Sequence, residues 1–232
     1  MRKNIILSLI ILCATVGVCS AQQDSLRVSI LGDSYSTFEG WLHPKTNYVW
    51  YFSDDTRGDK TDVRNVEETW WWQFVENNGF KLEYNNSSSG TTICNTGYKG
   101  EEVSHNAFIA RVNDLGDPDI ILIFGATNDL WAGSPLGEFK YRKWTKQELY
   151  CFRPAMSLLL SSTLERYPKA KVFFILNNLI DGEMRESILK LCKHHKVDCI
   201  ELEGIDMLTG HPSIKGMSQI SSQLSDYILP RL

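Results

Sequence analysis

The chain has no run of basic residues, no glycine-rich loop followed by lysine, no His/Cys/Asp/Glu cluster at metal-ligand spacing, and no repeat or low-complexity tract. Without a basic stripe there is nothing to follow a phosphate backbone, so nucleic acid is not an expected partner. Without a phosphate loop a nucleotide site has no cradle, and without ligand clusters no metal is expected; we anticipate no cofactor. Long apolar runs are also scarce. The longest, Ile5 to Leu12 continuing through Val18, is short for a membrane span, follows Arg2 and Lys3, and gives way to Cys19-Ser20-Ala21. Residues 1–21 therefore read as a secretory signal peptide cleaved after Ala21. Cys19 suggests a lipid anchor, but Val18 stands where a lipobox wants a small residue. The expectation is an exported chain, periplasmic or secreted, with no stable membrane insertion once the signal is removed.

Residues 22–232 fit a single domain with a full core. Loss of Arg2 and Lys3 takes the basic residues from 24 to 22 against 28 acidic ones, a net charge of −6. Four cysteines remain: Cys94, Cys151, Cys192 and Cys199. Cys192 and Cys199 flank a predicted helix-to-strand turn and could pair, or all four could be buried thiols.

Five runs read as strands: Arg27 to Gly32, Lys81 to Tyr84, Asp119 to Gly125 with five consecutive apolar residues, Lys171 to Leu176, and Val197 to Leu202. Helical patterns fill the gaps. Asn65 and Glu68 resemble a capping box opening a helix to about Asn78, closed by Gly79. Tyr150 to Tyr167, Glu183 to His195 and Ile214 to Leu229 carry apolar residues at helical spacing. Alternation of this kind predicts an α/β fold, a mostly parallel five-stranded sheet covered on both faces, with a ligand crevice at the carboxyl ends of the strands. Two long segments lack pattern, 36–64 and 126–146, and both flank that edge.

Three short motifs map onto the same edge. Gly32-Asp33-Ser34 follows the first strand and could project a hydroxyl, although those residue types also favour plain turns. Asn128 follows the strongest strand and could donate its amide to an oxygen that becomes negative, or it could cap the next helix. His211-Pro212 leads into the last helix, where a neutral imidazole could serve as general base. Gly90 could offer a backbone amide. His43, His105, His194 and His195 have no such context and read as structural or exposed.

Taken together, Gly32-Asp33-Ser34, Gly90, Gly125 to Asp129 and His211 resemble the blocks of the SGNH hydrolases, also called the GDSL esterase/lipase family, across nearly the whole of residues 22–232. The resemblance implies a three-layer α/β/α sandwich of flavodoxin-like topology. It also implies a serine esterase with Ser34 as nucleophile, and an oxyanion hole of the Ser34 amide, the Gly90 amide and the Asn128 side chain. Two departures stand out. Two residues, Ala126 and Thr127, separate Gly125 from Asn128 where the family usually has one. The family's acid lies three residues before the histidine, where this chain has Leu208; Asp206, five before, is the favoured candidate if Gly210 lets the loop fold back, and a backbone carbonyl orienting His211 is the other.

Trp70-Trp71-Trp72 sit about 100° apart on a predicted helix, so they cannot share one core. With Trp41, Tyr48, Trp50, Tyr51 and Trp131 they form either an aromatic rim for substrate or the packing of the long insertion. Export, acidity and aromatic loops favour a small-molecule or glycan ester, above all an acetyl or short-acyl ester on a carbohydrate. A lipase, lysophospholipase or thioesterase is the alternative, as is a non-catalytic glycan-binding protein on the same scaffold.

Overall fold

A computed structural model describes residues 25–54, 57 and 60–232. The expected signal peptide lies outside the described residues. The regular elements run β1 (Arg27–Gly32), α1 (Trp70–Asn77), β2 (Lys81–Ser87), α2 (Phe108–Arg111), β3 (Ile120–Phe124), α3 (Thr127–Ala132), α4 (Phe152–Arg166), β4 (Lys171–Leu176), α5 (Gly182–His195), β5 (Asp198–Glu201), β6 (Met207–Leu208), β7 (His211–Pro212) and α6 (Ile214–Ile228).

β1 to β5 form one wholly parallel sheet in the order β2-β1-β3-β4-β5. Strand side chains alternate between faces, which accounts for the unbroken apolar run of β3: both faces are covered. Ile120, Leu122 and Phe124 pack with α1 and α6, whereas Ile121 and Ile123 pack with α2, α4 and α5. Each large apolar side chain so buried contributes roughly 1.5–3 kcal/mol. The α/β/α sandwich is thus the observed architecture. The chain leaves β1 toward β2 on one side and returns to β3 on the other, which opens a crevice at the carboxyl ends of β1 and β3.

Two elements depart from expectation for local reasons. The Asn65 capping box exists, with the Asn65 N–H donating to Glu68 Oε2 at 2.9 Å. It closes only a single 3₁₀ turn, and Thr69 caps α1 instead, accepting from the Trp72 N–H. β2 runs on through Asn85, Asn86 and Ser87, polar residues that no apolar alternation would reveal. On α1, Trp70 and Trp71 are fully buried, while half-buried Trp72 meets Trp41 edge-on at 4.8 Å. These rings therefore pack the insertion onto α1. All four described cysteines are free thiols, with contact from Cys199 and burial pushing Cys192 well up.

Candidate active site

β1 ends at Gly32, where a Cβ would lie 2.5 Å from Ser36 Oγ and 2.6 Å from Ser87 Oγ, so only glycine fits. Asp33 then opens the turn Ser34–Ser36 by accepting from the Tyr35 N–H at 3.1 Å. Thr37 closes it, its hydroxyl donating to the Ser34 carbonyl at 3.0 Å. Ser34 is left at the strand edge with an N–H that has no acceptor among the described residues.

His211 arrives on a tight hairpin. Leu208 pairs with His211, and the two turn residues, Thr209 (φ 50°) and Gly210 (φ 82°), both have the positive φ that the type I′ form of a two-residue hairpin turn requires. Leu208, at the family's acid position, is thus a strand partner of the histidine. The hairpin is pinned over the serine by Tyr35, whose OH donates to the Gly210 carbonyl at 2.6 Å, and by Tyr51, donating to the Pro212 carbonyl at 3.2 Å. The outcome is a hydrogen bond of 3.0 Å between Ser34 Oγ and His211 Nε2, across 177 residues of sequence. Both residues are nearly buried, at 3 % and 6 % exposure.

Asp206 does not join them. Its Oδ2 accepts from Ser213 Oγ, and its backbone N–H donates to Gln219 Oε1 at 2.8 Å. Gly210 does bend the loop, but the bend turns the hairpin back on itself and keeps Asp206 at the start of α6. His211 Nδ1 makes no hydrogen bond of normal geometry. Burial pushes the imidazole down to about 4; the Thr209 carbonyl works against that, and Arg57 adds to it.

The extra residue before Asn128 is absorbed by Ala126, which takes a left-handed φ of 76°. α3 has no side-chain cap, so Asn128 and Asp129 are spared that task. Asn128 Nδ2 donates to the Thr91 carbonyl at 3.1 Å, and Oδ1 accepts from Tyr98 OH at 2.6 Å. One amide hydrogen remains for a ligand. Asp129 accepts from the Ile93 and Cys94 amides at 2.7 and 3.2 Å, tying α3 to the loop that follows Gly90. Gly90 is exposed at φ 77° with open space around it, and its N–H has no acceptor among the described residues. In the sheet register Gly32 pairs with both Ser87 and Phe124, so Ser34, Gly90 and Asn128 leave neighbouring strands at one level.

Sequence reasoning missed Arg111. Its buried guanidinium donates to the Asn86 carbonyl, to the Gly32 carbonyl at 3.2 Å and to Thr91 Oγ1 at 2.9 Å, holding together the segments that carry Ser34 and Gly90. Burial lowers it to about 9 and raises nearby Asp33 to about 7. A lone arginine in a four-residue helix carries no signal that could have found it. Tyr98 was equally silent. The other histidines lie elsewhere: His43 beside Asp114, His194 stacked on Tyr141, His195 against Ser157, and His105 on a cavity wall. Among the described residues no three His, Cys, Asp or Glu gather as a metal site, and no helix is long and apolar enough to cross a membrane.

A family model described as GDSL-like lipase/acylhydrolase matches residues 26–228. A protein of Bacteroides ovatus assigned to the GDSL-like lipases is 53 % identical, with a TM-score of 0.87 over 89 % of this chain and 99 % of its own. One from Bacteroides uniformis is 46 % identical, with a TM-score of 0.87 over 90 % of this chain and 97 % of its own. A family two carbohydrate esterase from Clostridium thermocellum, solved with cellohexaose, shares the fold at 17 % identity and a TM-score of 0.62, over 90 % of this chain and 65 % of its own. No curated protein matches.

Proposed function

The chain belongs to the GDSL-like lipase/acylhydrolase family and is a carboxylic ester hydrolase; from that premise we propose that it is exported and removes an acetyl or other short acyl group from a carbohydrate, using Ser34 and His211 as a dyad. The observation that carries this reading is the 3.0 Å hydrogen bond between Ser34 Oγ and His211 Nε2. Ser34 Oγ attacks the ester carbonyl as Nε2 takes its proton. The carbonyl oxygen, now negative, accepts from the Ser34 and Gly90 amides and from Asn128 Nδ2. Collapse expels the alcohol, which leaves with the proton from His211. Water then repeats the sequence on the acyl-serine and frees the acid. Each well-aimed donor to the oxyanion is worth about 3 kcal/mol of barrier.

The near-complete burial of Ser34 and His211 favours a small acyl group. Trp131, 43 % exposed with its ring 6.2 Å from His211, and Tyr98, 38 % exposed beside Asn128, offer flat apolar surfaces for a sugar ring at the mouth. Export rests on residues 1–21.

The test is a panel of short and long acyl esters with acetylated oligosaccharides, assayed for the mature protein and for Ser34→Ala. Turnover of short esters and acetylated sugars that vanishes in the variant is expected. Activity confined to long chains would move the protein to the lipase or lysophospholipase reading. Inactivity alongside tight glycan binding would make it a binding protein.

A further inference from the structure

In a serine–histidine–carboxylate site the acid holds the imidazole in one plane and one tautomer. Here Asp206 is engaged by Ser213, and Nδ1 makes no hydrogen bond of normal geometry, though the Thr209 carbonyl acts on the ring. What surrounds the ring is aromatic. Tyr35, Trp131 and Tyr51 approach it edge-on or tilted, with centroids at 5.1, 6.2 and 6.4 Å. Trp50 is different: its indole lies parallel to the imidazole within 6°, with ring centroids 3.8 Å apart. Swinging the imidazole out of line with Ser34 would drive it into that flat face.

Resting on the dyad reading above, we propose that Trp50 is a positioning residue that stands in for the absent carboxylate, clamping the plane of the His211 imidazole so that Nε2 stays on Ser34 Oγ. The backbone that carries the indole is itself tied to the nucleophile. The Trp50 main-chain N–H donates to Thr37 Oγ1 at 2.9 Å, and that hydroxyl donates to the Ser34 carbonyl at 3.0 Å. Beside this pair, the Glu39 N–H donates to the Tyr51 carbonyl at 3.0 Å. Serine, histidine and tryptophan thus share one short hydrogen-bonded frame. The Arg57 guanidinium also lies over the indole, 4.5 Å from the ring centroid, and donates to the Trp50 carbonyl. The indole face also suits the imidazolium that forms when Ser34 gives up its proton, because a π face attracts a cation. Arg57 opposes that charge, so it steadies the plane at some cost to the protonated ring.

The experiment compares the mature protein, Ser34→Ala, Trp50→Leu and Trp50→Phe on one ester, with a thermal melt of each. Trp50→Leu removes the flat face and should lower kcat by about tenfold to a hundredfold with KM within about twofold, the pattern of a lost transition-state alignment. Trp50→Phe restores a flat ring and should keep at least about a third of kcat. The rate at which a fluorophosphonate labels Ser34 should fall in parallel, since that reaction needs the aligned base and no substrate pocket. If Trp50→Leu does not fold, Trp50→Met replaces it. A kcat for the aliphatic variant within twofold of wild type, a loss confined to KM, or a Phe variant as impaired as Leu would overturn the inference. A wild-type protein without Ser34-dependent turnover would end the dyad reading and the inference with it. An active wild type indifferent to Trp50→Leu would end the inference alone.

Discussion

Ser34 Oγ lies 3.0 Å from His211 Nε2, and Ser157 Oγ lies 2.8 Å from His195 Nε2. The second contact is the shorter, yet its surroundings can do nothing with it. Ser157 sits fully buried within α4, where the helix has spent its backbone N–H, and His195 ends α5 against solvent. Ser34 sits in a turn at a strand end with its N–H unspent, beside neighbouring strand ends that bring Gly90 and Asn128 to the same level. A serine–histidine hydrogen bond is therefore common packing chemistry. Unspent donors at the carboxyl edge of a parallel sheet are what would turn one such pair into the proposed reaction site.

The sharpest way to break this contrast is to remove each imidazole. His211→Ala should lower kcat by about a thousandfold or more, whereas His195→Ala should leave it within about twofold, as measured by steady-state kinetics. Equal losses would erase the distinction. Next in size is the donor that Ser157 lacks: Asn128→Ala should cost about a hundredfold to a thousandfold in kcat with little change in KM.

The pH profile sharpens the comparison differently. In the proposed dyad His211 must be neutral to accept a proton, so activity should be present above its pKa and lost as pH falls through it. With the imidazole pushed down to about 4 by burial, kcat/KM at pH 5 should hold at about nine-tenths of its plateau, whereas an ordinary histidine near 6.5 would leave about a thirtieth. Asp33, raised to about 7, is already mostly neutral at that pH and does not titrate across this limb. The smallest effect belongs to Asp206→Asn, which should change kcat by no more than about threefold, where an acid holding the tautomer would cost about ten-thousandfold.

Much of this was legible in the sequence, and the exceptions have physical reasons. Strands buried on both faces must be apolar throughout, so β1, β3 and β4 announce themselves. β2 is half hidden because its carboxyl end serves the site: Asn85 Nδ2 donates to the Ser36 carbonyl at 2.9 Å, and Ser87 Oγ donates to Asn85 Oδ1 at 2.6 Å. Ser34, Gly90, Asn128 and His211 stood out as short motifs at strand ends. Their supports were less legible. Arg111 and Tyr98 act through contacts with residues remote in sequence, and such contacts leave no periodicity or spacing to read; Trp50 stood out only as one of the loop aromatics, with nothing to tie it to His211. Asp206 was the reverse case, a carboxylate at a plausible offset whose position is decided by Ser213 rather than by His211.

The most direct measurement exposes the folded protein to a fluorophosphonate and locates the adduct by peptide mass spectrometry. The account predicts stoichiometric modification of Ser34, none at Ser157, and loss of the adduct in His211→Ala. An unmodified Ser34 in folded protein, or modification that persists without His211, would contradict it.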